Sequence, residues 1–197
     1  MERIGVFGAG FNPPTLGHFS VISQALPHFE RILLVPSLSH PFQKSFIAIE
    51  HRLNMLNLFL TYWKNTSDRK KIQVSLIEAD IQKRQSSTDP IYTYDVLTAL
   101  TESYANDPKR QPFEIQFIMG PDNAHPTVWQ QFYRYQEIEK RWPLFIAQEM
   151  IPIHSTMVRD FLEKADRRDP RCLQTLATWV GLPIAEYILE QKLYVGR

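Results

Sequence analysis

Short apolar runs alternate with helical patterns along the chain, and this alternation limits the fold more than any other feature. Runs of continuous or alternating apolar residues predict buried strands at residues 4–7, 32–35, 72–77, 115–119 and 144–146. Strands that are separated by helices form a parallel sheet with helices on both faces. We therefore expect an α/β fold, a Rossmann-like open parallel sheet that is followed by a helical C-terminal segment.

Apolar residues at helical spacing predict the helices between these strands. They recur over residues 22–29, 48–63 and 93–104, and Thr93 is a candidate N-cap of the third helix. The C-terminal part of the chain is helical over residues 155–193, with breaks near 169–170 and 181–183.

Length and composition limit the class of protein. A chain of 197 residues is long enough for one domain, which we divide into a Rossmann-like core (1–147) and C-terminal helices (148–197). The formal net charge of +1 predicts no general attraction to nucleic acid or membranes. The single cysteine, Cys172, forms no internal disulfide and is expected in the core. Because we find neither a signal peptide nor a membrane-spanning apolar stretch, we expect a cytoplasmic protein.

The loops that follow the strands are where a parallel sheet binds its ligands, here residues 8–18, 37–44, 78–93 and 120–129. The first loop is the most informative, because its glycines let backbone N–H groups approach anionic oxygens. It lacks the Gly-Lys-Ser/Thr sequence of a P-loop. It also has Pro13 where the dinucleotide-binding fingerprint needs its third glycine.

Thr15, Gly17 and His18 lie where this loop enters a helix. Residues three apart share a helical face, so the hydroxyl of Thr15 and the imidazole of His18 can contact one ligand. Gly17 leaves room for a close approach, and the helix N-terminus adds a partial positive charge of roughly half a unit. The pattern indicates a site for an anionic group rather than a histidine that only satisfies a tight turn.

A second candidate anion site lies later in the chain. Ser155 and Thr156 offer hydroxyls and a helix N-cap, and Arg159 offers a guanidinium that matches phosphate oxygens. Taken alone, this stretch is equally typical of a capped helix with a surface arginine.

The aromatic residues divide into two groups. Trp63, Trp142 and Trp179 lie in apolar surroundings and are expected in the core. Trp129 and Phe132 follow the Asp122 loop on the ligand side of the sheet. For these two, core packing and stacking on a pyridine or purine ring are equally open.

The two anion-binding stretches together resemble the nucleotidyltransferase superfamily, whose members carry an HxGH or TxGH motif after the first strand and a late ISSTxxR motif. The chain is most similar to the bacterial nicotinate mononucleotide adenylyltransferases. Residues 5–18 follow their GxFGGSFNPxHxGH sequence except at Ala9, Gly10 and Thr15. Further motifs of that group are matched at residues 51–56, 92–97, 119–122 and 182–194. The chain departs from the group at His154, where serine is usual, and in the short segment before residue 153.

The resemblance implies in-line attack by a mononucleotide phosphate on the α-phosphorus of ATP, with release of pyrophosphate. It implies His18 and Thr15 as catalytic residues. The residues implied for ATP are Gly8, Ala9, Gly10, Phe11, Gly17, Gly120, Asp122, Ser155, Thr156 and Arg159. The residues implied for the acceptor are Asn12, Lys44, Arg52, Tyr92, Thr93, Trp129 and Phe132.

The implied partners are ATP and a pyridine mononucleotide, without nucleic acid or membrane, and a homo-oligomer is compatible with the sequence. Mg²⁺ is expected on the ATP phosphates, largely bound by water, and no metal ligand is assigned in the protein. We expect nicotinate mononucleotide as the acceptor, in NAD biosynthesis. The alternatives are nicotinamide mononucleotide or phosphopantetheine as acceptor, and a nucleotide-binding regulator without turnover.

Overall fold

The structure is a computed structural model that describes residues 1–38, 46–85, 89–108 and 111–195. Within these residues, five strands form one parallel sheet in the order β3-β2-β1-β4-β5. Their bounds are β1 (Glu2–Ala9), β2 (Arg31–Pro36), β3 (Ile72–Val74), β4 (Phe113–Met119) and β5 (Leu144–Ile146). The predicted Rossmann-like parallel sheet is confirmed.

The helices of the same residues are α1 (Leu16–Ala25), α2 (Ile49–Leu60), α3 (Thr66–Lys71), α4 (Ile77–Arg84), α5 (Thr93–Ala105), α6 (Pro121–Ala124), α7 (Pro126–Trp129), α8 (Tyr135–Arg141), α9 (Ser155–Lys164), α10 (Pro170–Val180) and α11 (Leu182–Glu190). Short helices such as α3, α4 and α8 were not predicted, because a few turns hold too few apolar residues to show a period. The strand expected over 72–77 ends at Val74, and Ile77 begins α4 instead. None of the helices in the described part of the chain is long and apolar enough to cross a membrane.

Alternating side chains on the central strands divide the core into two layers. On β1, Ile4 and Val6 point to one face of the sheet, and Phe7 points to the other. The first face is covered by α4, α5, α7 and α8, and the second by α1, α2, α10 and α11. Because both faces are buried, the strands appear in the sequence as continuous apolar runs.

The C-terminal helices belong to the second of these layers. Leu176 of α10 and Ile188 of α11 lie in the same apolar cluster as Met55 of α2. Cys172 is buried there too, as predicted. The helices after the sheet therefore complete the core that supports α1 and α2.

The strands end together at one edge of the sheet. Ala9 pairs with Pro36 at the end of β1 and β2, and Met119 pairs with Ile146 at the end of β4 and β5. The helices that leave this edge begin slightly earlier than predicted. The N-cap positions are Tyr92 for α5 and His154 for α9, each one residue before the predicted cap.

Candidate active site

A cleft opens at the carboxyl edge of the sheet, beside the N-termini of α1 and α9. Its walls come from the loop after β1, the loop after β4 and the segment that precedes α9. Twelve of the predicted site residues line it: Gly8, Ala9, Gly10, Phe11, Asn12, Gly17, His18, Gly120, Asp122, Ser155, Thr156 and Arg159. The fold thus brings together residues from the start, the middle and the end of the chain.

Thr15 contacts the ring of His18 at Nδ1. The main-chain N–H of Thr15 donates to Nδ1 of His18 at 3.1 Å, and Thr15 Oγ1 lies 2.9 Å from the same nitrogen. Because a backbone amide can only donate, Nδ1 is the unprotonated acceptor, and we assign the ring proton to Nε2. His18 therefore presents a neutral N–H donor to the cleft.

Thr15 itself does not line the cleft, contrary to the prediction that it touches the α-phosphate. Its side chain is fully buried, and Oγ1 donates to the main-chain oxygen of Ile153 at 2.9 Å. Spacing placed Thr15 and His18 on one helical face, but the N-cap residue turns inward before the helix begins. Thr15 is a support for His18 rather than a ligand contact.

The surroundings of His18 keep its ring neutral. Burial, and to a smaller extent the nearby His154, lower the pKa of His18 from 6.5 to about 4. At pH 7 the ring is uncharged and donates through Nε2.

The first and the late motif are joined directly. Three hydrogen bonds connect them, from Thr15 Oγ1 to Ile153 O at 2.9 Å, from Ser155 Oγ to Pro13 O at 2.7 Å and from Arg159 Nη1 to Asn12 O at 2.7 Å. The main-chain oxygens of Ile151 and Ile153 also pack on Gly17 so closely that a Cβ atom would collide with Ile153 O. The late motif is therefore more than a capped helix with a surface arginine, because it forms one wall of the cleft.

Arg52 corrects a second prediction, since it does not face the cleft as an acceptor-phosphate ligand. Its side chain is almost fully buried, at 2% exposed. Nη1 donates to Gly10 O at 3.0 Å and to Ser37 O at 2.6 Å, and Nε donates to Ile47 O at 3.3 Å. The guanidinium uses these donors to hold the loops after β1 and β2 together. Lys44, the other cation predicted for the acceptor, lies outside the described residues.

Glu78 is the buried carboxylate near Arg52. It accepts a hydrogen bond from the main-chain N–H of Leu38 at 2.7 Å. Burial raises the pKa of Glu78 to about 7, although the Leu38 N–H and the charge of Arg52 both act to lower it. The effect of removing the Glu78 carboxylate from solvent on its pKa therefore outweighs the effects of these two interactions.

This shift predicts a pH-dependent stability. Between pH 4.5 and 7 the folded protein keeps a proton on Glu78 that the unfolded chain has lost, so this residue destabilises the fold as pH rises. We compare the unfolding free energy of Glu78→Gln with that of wild type. The difference in favour of the variant should be roughly 1–3 kcal/mol larger at pH 7.5 than at pH 5. Urea unfolding at both pH values measures the gain, with the exposed Glu102→Gln as control. A difference between variant and wild type that is the same at both pH values would contradict this assignment.

Trp129 lies in the core, and the partly buried Phe132 packs against it. Trp129 is buried, its ring is stacked on Phe117, and its Nε1 donates to Glu139 at 2.7 Å. The ring of Phe132 packs on Trp129 with centroids 4.9 Å apart. This placement does not support the prediction that either ring stacks on a ligand, because neither residue lines the cleft.

A pair of tyrosines, one half-buried and one exposed, lies at the N-terminus of α5 instead. The ring of Tyr92 lies 4.7 Å from that of Tyr133, which is 48% exposed. Tyr92 and Thr93 were predicted at the acceptor, but they are not among the residues that line the cleft. Sequence reasoning missed Tyr133, although its place directly after Phe132 was an available signal.

A charged cluster at the cleft was also missed. His154 Nδ1 lies 2.9 Å from Asp122 Oδ2, and His154 Nε2 lies 3.2 Å from Glu149 Oε1. The three side chains are partly to well exposed and line the cleft. They come from two separate loops, so only the replacement of a motif serine by His154 could have drawn attention to them.

Comparison with known proteins places this architecture in a family. The cytidylyltransferase-like family matches residues 6–161, a span that contains both motifs and most of the cleft. The chain belongs to the cytidylyltransferase-like family.

Relatives of this cytidylyltransferase-like protein carry a more specific name. It is 26% identical to a "probable nicotinate-nucleotide adenylyltransferase" of Streptococcus pyogenes, over 98% of this chain and 89% of the relative. It is 32% identical to a protein of the same name from Carboxydothermus hydrogenoformans, over 72% of this chain and 62% of the relative. A solved structure from Vibrio parahaemolyticus carries the same provisional name and covers both chains fully, with 26% identity and a TM-score of 0.72.

The carboxylates of this cytidylyltransferase-like protein suit a divalent ion that arrives with a nucleotide. Asp122, Glu149 and His154 place one potential ligand atom each within 4.8 Å of one another. Mg²⁺ prefers oxygen ligands and keeps several waters, which two exposed carboxylates at the mouth of a cleft allow. The carboxylate oxygens of Asp122 and Glu149 are therefore suitable ligands for Mg²⁺.

Proposed function

We propose that the protein transfers AMP from ATP to nicotinate mononucleotide and releases pyrophosphate. The observation that carries this proposal is the joint cleft, in which a neutral His18 donor faces the same space as Ser155, Thr156 and Arg159. Such a cleft offers donors and helix N-termini to a chain of phosphates. The names of the relatives point to the same reaction.

In the proposed step, an oxygen of the acceptor phosphate attacks the α-phosphorus of ATP. The new P–O bond forms as the bond to the β-phosphate oxygen breaks, and pyrophosphate leaves with the bonding electrons. The attacking oxygen is already an anion, so no general base is needed. Catalysis then rests on positioning and on donors aimed at the developing charge.

The protein's own groups divide this task between two helix ends. His18 Nε2–H donates to an oxygen of the α-phosphate, next to the N-terminal amides of α1. Arg159, the hydroxyl of Thr156 and the N-terminal amides of α9 hold the β- and γ-phosphates, and Arg159 is kept in place by Asn12 O and Thr156 Oγ1. Asp122 and Glu149 would hold Mg²⁺, which neutralises part of the triphosphate charge when bound.

We further propose that all of residues 1–197 act as one domain. The late motif hydrogen-bonds the first motif, and α10 and α11 pack in the same core as α1 and α2. Removal of the C-terminal helices would therefore expose the apolar layer on which α1 rests.

The acid form of the acceptor is favoured by the N-terminus of α5. This helix has 13 residues, and it begins beside Tyr92 and the exposed ring of Tyr133. A helix N-terminus attracts a carboxylate more strongly than a neutral amide. The exposed ring of Tyr133 and the half-buried ring of Tyr92 beside it offer a surface for a pyridine ring.

Pyrophosphate release with ATP and a set of acceptors tests the proposal. We expect kcat/KM to be about tenfold or more higher for nicotinate mononucleotide than for nicotinamide mononucleotide, because only the acid adds a charge-assisted hydrogen bond. Phosphopantetheine and ATP alone serve as controls and should release little pyrophosphate. A higher kcat/KM for the amide or for phosphopantetheine would identify that compound as the acceptor instead. If no acceptor leads to release of pyrophosphate, the alternative of a nucleotide-binding regulator without turnover is favoured.

A further inference from the structure

Asn12 lines the cleft, and it accepts three hydrogen bonds from other parts of the protein. Its main-chain oxygen accepts from Arg159 Nη1 at 2.7 Å. Its side-chain Oδ1 accepts from the hydroxyl of Tyr194 at 3.1 Å and from the main-chain N–H of Ile47 at 3.5 Å. Asn12 is 3% exposed and Tyr194 is 5% exposed, so these contacts are shielded from solvent.

These partners settle which end of the Asn12 amide faces them. The N–H of Ile47 can only donate, so the side-chain atom opposite it is Oδ1 rather than Nδ2. The shorter hydrogen bond from Tyr194 holds the same oxygen. Because Oδ1 is held by these two donors, the NH₂ end is the part of the amide that Asn12 can offer to the cleft it lines.

Tyr194 is anchored independently of Asn12. It follows α11 in a left-handed backbone conformation, with a φ of 61°. The guanidinium of Arg167 donates to the main-chain oxygens of Leu193 and Tyr194 at 2.8 and 2.9 Å. The hydroxyl therefore reaches Asn12 from a fixed point, across 182 positions of sequence.

We infer that Tyr194 is a positioning residue, whose hydroxyl orients the Asn12 amide so that its two N–H donors face a phosphate group of the acceptor. Phosphate oxygens only accept hydrogen bonds, so an amide turned the other way would oppose its carbonyl oxygen to the anion. This inference rests on the proposed function. It identifies Tyr194 as the residue that decides whether Asn12 turns its N–H donors or its carbonyl oxygen toward the cleft.

A double-mutant cycle tests the inference. The four proteins are wild type, Tyr194→Phe, Asn12→Ala and the double variant. We expect Tyr194→Phe to raise the KM for nicotinate mononucleotide about 3–10-fold, the effect of one lost hydrogen bond, with kcat changed less than about twofold. If Tyr194 acts through Asn12, the double variant should match Asn12→Ala alone, because no amide is left to orient.

Tyr187→Phe is the matched control. Its hydroxyl lies in α11 and contacts His51 Nδ1 and Asn54 Nδ2, both at 2.9 Å. This variant should lower the melting temperature without a change in the KM for the acceptor. Equal effects of Tyr187→Phe and Tyr194→Phe on KM, or additive effects in the cycle, would overturn the inference.

Failure of the proposed function is distinguished by the wild-type protein. If wild type releases no pyrophosphate, the cycle is read from calorimetric titrations with nicotinate mononucleotide and with inorganic phosphate. Weaker binding by Tyr194→Phe, absent when Asn12 is alanine, would support the inference even then. Wild-type protein that binds neither probe would overturn it.

Discussion

His18→Ala is expected to lower kcat by roughly 10²–10³-fold, the usual loss when one donor to a developing charge is removed. The KM for ATP should change much less, because the proposed function assigns the β- and γ-phosphates to the other helix end. Steady-state pyrophosphate release measures both constants. Since the pKa of His18 is lowered to about 4, this ring should contribute no change in kcat between pH 6 and pH 8.

His28→Ala is the matched control, because His28 is exposed, contacts Phe145 with a tilted ring and does not line the cleft. It should retain the kcat of wild type. Equal losses in ATP binding and in turnover for His18→Ala would mean that His18 binds only the ground state. Unchanged activity of His18→Ala would remove it from the site.

Gly17→Ala is expected to move the late motif, at the start of α9, away from the first motif, at the start of α1. The new Cβ would collide with the main-chain oxygen of Ile153, and a backbone oxygen cannot turn away as a flexible side chain can. The segment before α9 must shift, and a displacement of about 1 Å at reacting groups can lower kcat/KM on the order of 10²-fold. Overpacking of this kind costs roughly 1–3 kcal/mol, so the melting temperature should fall by about 3–10 °C.

Gly8→Ala separates this steric effect from a general intolerance of alanine, since a Cβ atom at Gly8 has no neighbour within 4 Å. Its melting temperature should stay within about 1 °C of wild type, because no packing is altered. A Gly17→Ala protein with the melting temperature and kcat/KM of wild type would show that the two motifs do not depend on this contact.

The sequence by itself determined the sheet, the edge of the sheet at which the cleft opens, and the two motifs. Strands buried on both faces leave continuous apolar runs, and amphipathic helices leave a period of 3.6, so both can be identified without knowing any distant contact. The rule that ligands bind beyond the carboxyl ends of parallel strands then selected the loops that contain His18 and Asp122. Both residues line the observed cleft.

Only the tertiary structure decided what each of these residues contacts. Arg52 reaches Gly10 across 42 positions, and Tyr194 reaches Asn12 across 182. Whether an arginine faces ligand or backbone, or whether Trp129 stacks on a substrate or on Phe117, depends on how the helices pack on the sheet. Spacing along the chain places a residue on a face of its own element, but the direction of its side chain is set by burial against elements that are distant in sequence.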